Sequence, residues 1–349
     1  MITEIIFMDF PFKGGICLRM KCKDLLPYRD LWLGLAMAWI VFAHSGYKPG
    51  SMLFTYLKAW GYGGVDICLF ASGLGCYFSL EKDPDTLRFL KRRISRLAPT
   101  YLPFILLWCV YHYLTHGPYP VSAVLGNILG IQNLTGLENS FNWYISALLL
   151  FYLLSPLFKS LVDRVGYGRQ VAVIGLLLLV SVPFWTADTY IITVTRLPIY
   201  YAGMVFGRMC REDRELGLPG LIGCAAVSAL GFGLMRFCTD HYESILWSYG
   251  LHWYPFLLIT PGVCIAVSLA GLALEKVKYS RMLTKPLAVI GQYSFELYLL
   301  HVPLYEFLHP RLRELPYNRN LMWLATLPVI AAGCFVLKRV GKLIQKLLP

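Results

Sequence analysis

Residues 28–45, from Tyr28 to Ser45, read YRDLWLGLAMAWIVFAHS, and this stretch decides the fold. Arg29 and Asp30 open it, no charge falls between Leu31 and Ala43, and His44 closes it. With its flanks the run approaches the ~20 apolar residues that cross about 30 Å of hydrocarbon, so it predicts a membrane-spanning helix. His44 then lies at or just within the bilayer edge. An ionisable group is costly there and marks a functional site, unless it rests among the headgroups as an ordinary interfacial residue.

The rest of the chain repeats this pattern. Of 349 residues, 57% are hydrophobic and 15% charged, with a mean hydropathy of +0.56. That leaves too little polar surface for a water-soluble globule. Apolar runs near spanning length fall at 31–46, 61–80, 97–115, 143–158, 170–186, 197–210, 218–236, 251–274, 286–308 and 320–337. A shorter piece at 121–131 predicts a re-entrant or interfacial helix. The expected fold class is all-α, a polytopic membrane helix bundle of about ten transmembrane helices. Its organisation is a tail over 1–30, one transmembrane domain over 31–340 and a second tail over 341–349.

The net charge of +12 would suggest nucleic acid in a soluble protein, but its distribution speaks for topology instead. Of the 32 Lys and Arg residues, 25 lie in the two tails, the even-numbered loops and the span ends that adjoin them, and the remaining 7 in the odd-numbered loops and their adjoining span ends. By the positive-inside rule both termini are cytoplasmic; no nucleic-acid partner is expected. The ten cysteines stand singly, several within apolar runs (Cys68, Cys76, Cys109, Cys224, Cys264, Cys334). They read as small core residues, with neither a disulfide framework nor a metal site. The opening MITEIIFMDFPFKGGICLRMKCK lacks the basic, apolar and small cleavable parts of a signal peptide, and Met20 is a second candidate start.

Topology converts position into depth. At ~1.5 Å per residue from the cytoplasmic edge, His44 lies about 20 Å up the first span. Asp66 in YGGVDICLFASG, Trp143 and Tyr144 at the head of the fourth span, and His301 in the ninth fall in the same outer third. Polar groups in spans tend to face the bundle interior, so these segments predict a cavity at that depth. Each also has a plainer reading. Asp66 would pair with an arginine, Trp143 and Tyr144 would belong to an aromatic belt, and His301 would bond a carbonyl freed by Pro303. In the ninth span Ser294, Tyr298 and His301 share a face, whereas Glu296, a mid-span carboxylate and so a functional flag, lies ~140° from His301.

At the opposite side, RFLKRRISRLAPTYLP packs Arg88, Lys91, Arg92, Arg93 and Arg96 into nine residues. Such a cluster is either an anchor for anionic lipid heads or a phosphate clamp, since guanidinium groups bind phosphate bidentately. Arg93 and Arg96 share one face of a helix and could meet one polyphosphate.

WIVFAHSG, GGVDICLFASG, RRISRLAP, NWYISALLLFYLLSP and GQYSFELYLLHVP, in this order, make the chain from Arg29 to about Pro303 resemble the acyltransferase family 3 membrane proteins. The resemblance implies a multi-pass O-acyltransferase of a bacterial-type plasma membrane. It would move an acyl group, most often acetyl, from cytoplasmic acyl-CoA to a hydroxyl of a cell-surface or lipid-linked saccharide. Acyl-CoA is then a co-substrate and no cofactor is resident. The expected partners are the lipid bilayer, acyl-CoA and a saccharide acceptor, and a homo-oligomer is compatible with the sequence. On this reading the catalytic candidates are His44, Asp66, His301 and Glu296; Arg92, Arg93 and Arg96 hold the coenzyme, and Asn142, Trp143, Tyr144 and Tyr298 bind substrate. His44 would act as general base or as covalent acyl carrier. There is one departure from the family. Its first-span arginine, eleven residues before the histidine, is Leu33 in this chain. Arg29 is the nearest arginine, one turn deeper and ~60° away around the helix. The competing classes are a proton-coupled transporter of a small metabolite or glycan precursor and a non-catalytic scaffold. The chain lacks the internal two-fold repeat that would favour a transporter.

Overall fold

The computed structural model describes residues 20–118, 120–135, 142–184, 188–242, 247, 249–275, 277, 281–313 and 318–347. The principal helices are α1 Arg29–His44, α2 Met52–Ala59, α3 Gly64–Lys82, α4 Thr86–His116, α5 Val121–Leu129, α6 Trp143–Arg164 and α7 Tyr167–Ser181. They continue with α8 Leu197–Arg211, α9 Leu218–Asp240, α10 Pro255–Leu274, α11 Arg281–Gln292, α12 Ser294–Arg313 and α13 Arg319–Leu347. One short antiparallel pairing, Met20 with Leu216 and Lys21 with Glu215, ties the segment before α1 to the segment before α9.

All ten expected apolar runs form helix. Among the described residues eight helical segments are long and apolar enough to cross a membrane, which makes this a polytopic helical membrane protein. The two that fall short do so for visible reasons. α8 has only 15 residues, but Leu197, Ile199, Tyr200, Tyr201, Met204 and Phe206 are all buried. Its neighbours cover it, so its length need not match the bilayer. The ninth run divides into α11 and α12 at Tyr293. The Tyr293 N–H still donates to the carbonyls of Val289 and Ile290 at 3.2 and 3.1 Å, so helical bonding carries on across the interruption.

The short helix expected at 121–131 is α5, ended by Gly130 in the left-handed region at φ 67°. α2, in contrast, falls in a stretch that reads as a loop between the first two spans. Ser51 caps it by accepting the Phe54 N–H, and Met52, Leu53 and Phe54 are 70%, 66% and 55% exposed. An exposed apolar helix at a span end lies in the membrane interface.

The contact that positions the site is between α1 and α11. A Cβ on Gly34 would stand 1.9 Å from the Leu287 carbonyl oxygen, and one on Gly291 would stand 1.9 Å from the Asp30 carbonyl oxygen. Only glycine permits two backbones to come this close, the small-residue packing typical of membrane helices. This contact holds the ninth run alongside the first, which brings His301 level with His44. Gly34→Ala should therefore force the helices apart, cost about 1–3 kcal/mol by overpacking and widen the histidine separation. Thermal unfolding in detergent checks the first effect, and activity of the folded fraction checks the second.

Candidate active site

A cavity of about 930 Å³ opens among α1, α3, α4, α6, α11, α12 and α13. Arg29, Lys82, Arg92, Arg93, Arg96 and Lys338 line it, against only Asp30 and Glu296 of opposite sign. Its surroundings fix each arginine differently. Arg93 is buried, donates from Nη2 to the Gly75 carbonyl at 2.5 Å, and lies over the rings of Phe89 and Tyr152 at 5.4 and 5.8 Å. Arg92 is held back by Asp83 at 2.5 Å and by the Ser79 carbonyl at 3.3 Å. In that loop, hydrogen bonds from Arg88 and Arg92 hold the Asp83 carboxyl well below the usual carboxylate range. Arg96 is exposed and faces the cavity.

Arg29 lines the same cavity as Leu33, so a guanidinium does reach this wall although the family position holds leucine. The Nε atoms of Arg29 and Arg93 are buried with no hydrogen-bond partner among the described residues. Buried donors without partners are rare and costly. Two of them beside one basic cavity are what an anionic ligand would satisfy.

The histidines meet beyond the other end of this cavity. His44 Nδ1 lies 3.0 Å from the Ile40 carbonyl and 3.3 Å from His301 Nε2. His301 Nδ1 lies 2.9 Å from the carbonyls of both Leu297 and Tyr298. Carbonyls only accept, so His301 Nδ1 carries the hydrogen and Nε2 of the neutral ring is left as an acceptor. His44 Nδ1 faces two acceptors and must therefore donate. The lone pair of the neutral His44 ring is thus on Nε2. His301 is buried and His44 exposed, so the outward ring is the one that holds the available base.

Of the residues expected to share an outer-third cavity, His44, Asp66, Trp143, Tyr144 and His301, only Tyr144 lines the basic cavity. The cavity ends at Ile40, Tyr144 and Tyr298, one turn short of His44 and His301. There the rings of Tyr144 and Tyr298 sit 4.9 Å apart, and the Tyr144 N–H donates to the Tyr298 hydroxyl at 3.3 Å. Glu296 does face the cavity, its Oε2 buried and without a hydrogen-bond partner among the described residues, while His301 faces His44. The two residues therefore face different sides of α12, as their ~140° separation predicts.

Asp66 lies elsewhere. Gly61 and Gly64 pack against the carbonyls of Trp39 and Ala36, so α3 begins well below His44 and carries Asp66 on the order of 10 Å deeper than the histidine pair. Its partner is Arg196, with Nε 3.6 Å from Oδ2 and both groups buried. Arg196 was not among the sequence candidates. In the sequence it is the single cation of a short outer loop, and nothing local marks it as buried. Trp143 is placed by the same group, since the Arg196 guanidinium sits between the rings of Trp143 and Trp253 at 5.0 and 5.1 Å. Asn142 bonds the Tyr101 hydroxyl at 3.0 Å and Asn127 Oδ1 at 2.9 Å, which fixes α5 against α4 and α6. Breaking a buried ion pair from one side strands the other charge at a cost of about 3–5 kcal/mol. Asp66→Leu is thus expected to lower the melting temperature sharply, and adding Arg196→Met should recover most of the loss.

No curated protein and no solved structure matches the chain. The acyltransferase 3 family model, described as an acyltransferase domain, matches residues 27–339, from the residue before Tyr28 to the last turns of α13. The basic cavity, the histidine pair and the helices that hold them all fall within that match, and the chain belongs to the acyltransferase 3 family as a membrane acyltransferase.

Proposed function

We propose that this protein transfers an acetyl group from cytoplasmic acetyl-CoA to a hydroxyl of a cell-surface or lipid-linked saccharide, in a bacterial-type plasma membrane. The observation that carries this reading is the position of a strongly basic cavity directly beneath a paired, outward-facing imidazole. The arginine end belongs to the side that holds most of the basic residues, which the positive-inside rule assigns to the cytoplasm. There Arg93 and Arg96, with Arg29 and Arg92 beside them, would take the phosphates of the coenzyme. From Arg29 to His44 the rise is about 22 Å, which the pantetheine arm has to cover. Glu296 lines that route and would accept a hydrogen bond from an amide N–H of the arm. Tyr144 and Tyr298 form the layer that must part before the thioester reaches the histidines.

At that point His44 Nε2 takes the proton of the acceptor hydroxyl as the oxygen attacks the thioester carbonyl. The C–S bond breaks and the leaving thiolate recovers the proton from the imidazolium. In the covalent alternative Nε2 attacks the thioester first and the C–S bond breaks to release the thiolate; the acceptor hydroxyl then displaces the imidazole from the acyl group, and its proton goes to the thiolate. In both routes His301 Nε2 accepts from His44 Nδ1–H, which keeps the reactive lone pair outward and spreads the positive charge that develops. The test is purified protein incubated with acetyl-labelled acetyl-CoA and membrane saccharide. Label on the saccharide, in water as acetate or on the protein supports the enzyme. No binding and no turnover would return the chain to the transporter or scaffold class.

A further inference from the structure

The buried Asp66–Arg196 pair has no part in the chemistry above, yet it stands directly behind the closure of the basic cavity. Val65 and Cys68 line that cavity, and Asp66, between them on α3, turns away from it toward Arg196. Arg196 immediately precedes α8, and its Nη1 donates to the Ile192 carbonyl at 2.7 Å. That bond and Asp66 aim the guanidinium into the gap between Trp143 and Trp253. Gly250 shapes the far side of the gap. At φ 65° it adopts a conformation that favours glycine, and a Cβ there would stand 2.7 Å from the Trp253 ring. The near side is Trp143, whose ring meets that of Tyr144 edge-on at 6.2 Å. Tyr144 packs on Tyr298, whose ring lies 6.2 Å from that of His301. Side chains in contact therefore run from the ion pair through the tyrosine layer to the histidines.

The pair has slack. At 3.6 Å, Arg196 Nε and Asp66 Oδ2 are outside hydrogen-bond distance of each other, and neither atom has a hydrogen-bond partner among the described residues. A buried pair of this kind adds little net stability to a fold, but it suits a part that has to yield. We propose that Arg196 is a positioning residue of acyl transfer: braced by Asp66, it clamps Trp143 and thereby holds Tyr144 against Tyr298, so that the donor cavity stays sealed from the outer face between turnovers. The inference rests on the acyltransferase reading above for what the seal protects, the thioester. The clamp works by stacking as well as charge, because a guanidinium is planar and an ammonium is not.

The test needs no turnover. Right-side-out and inverted membrane vesicles are exposed to sulfonatoethyl methanethiosulfonate, an anionic, membrane-impermeant thiol reagent, and modification of Cys68 is read by peptide mass spectrometry. Cys68 lines the cavity on the cytoplasmic side of the tyrosine layer. In the wild type it should react from the cytoplasmic face and at least tenfold more slowly from the outer one. Arg196→Lys keeps the ion pair and loses the stack, and Trp143→Leu keeps the pair and loses the ring it holds. In both, outer-face modification should rise at least tenfold while cytoplasmic modification stays within twofold. The Asp66→Leu/Arg196→Met double variant, with both charges removed together, should leak in the same way. During turnover the leak should appear as more acetate released per acetyl transferred, with KM for acetyl-CoA unchanged. Outer-face rates equal to wild type in Arg196→Lys and Trp143→Leu, in a protein that turns over acetyl-CoA, would overturn the clamp alone. A leak in the variants of a protein with no acetyl-CoA turnover would overturn its role in acyl transfer together with the enzymatic reading.

Discussion

His44→Ala is expected to lower the rate of acetyl transfer by a factor on the order of 10³, within the range that a positioned general base supplies, while acetyl-CoA still binds and the protein still inserts. The residue is exposed at the end of α1, so its removal leaves no core cavity and the folded state should persist. The hydrogen-bond pattern sharpens the expectation. On the proposed mechanism His301 acts only through the lone pair it offers to His44 Nδ1–H, as a positioning residue. His301→Leu should slow transfer strongly. His301→Gln, whose side-chain oxygen can accept the same hydrogen bond, should restore part of the rate, mainly in kcat. A His44→Ala enzyme with full activity would reject the catalytic role. An equal loss in the leucine and glutamine variants would reject the positioning role of His301.

The second large effect belongs to the arginine end. Each charge-assisted hydrogen bond to phosphate is worth about 1.5–3 kcal/mol, so Arg93→Ala and Arg96→Ala should each raise the Kd for acetyl-CoA roughly 10- to 100-fold. Arg96 is the cleaner probe because it is exposed and lines the cavity, whereas Arg93 also packs over Phe89 and Tyr152. Lysine in place of either keeps the charge and loses the forked donor geometry, so it should recover only part of the affinity. The affinity should also weaken with added salt, more at the exposed Arg96 than at the buried Arg93. Unchanged affinity in both alanine variants would leave the cluster as a topology signal and nothing more.

The bundle was legible because hydrocarbon thickness imposes a length and a composition on every span. The run ending in His44 and the nine-residue arginine cluster carry that constraint in contiguous sequence. The histidine pairing was legible in part. His44 and His301 were expected at one depth, and the Gly34–Gly291 contact that holds them level needs only two small residues, which the sequence does not single out. Asp66 was misplaced because counting residues from a common edge assumes that each span enters at the same plane. The α2 helix and the turn at Gly61 carry the chain back into the bundle before α3 begins, so Asp66 enters deeper. Its partner Arg196 is 130 residues away in sequence, and no local pattern links the two. The Tyr144–Tyr298 closure is likewise a side-chain contact between distant segments, invisible to hydropathy or helical spacing.

On the proposed function, the basic cavity holds the coenzyme with its reactive end directed at the histidine pair. An experimental structure with a non-hydrolysable acetyl-CoA analogue tests it most directly. Phosphates are expected on Arg93 and Arg96, with the pantetheine arm passing Glu296 and the acyl end at the Tyr144–Tyr298 layer or, with that layer parted, beside His44 Nε2. An analogue bound outside this cavity, or one whose acyl end points away from His44, would contradict it.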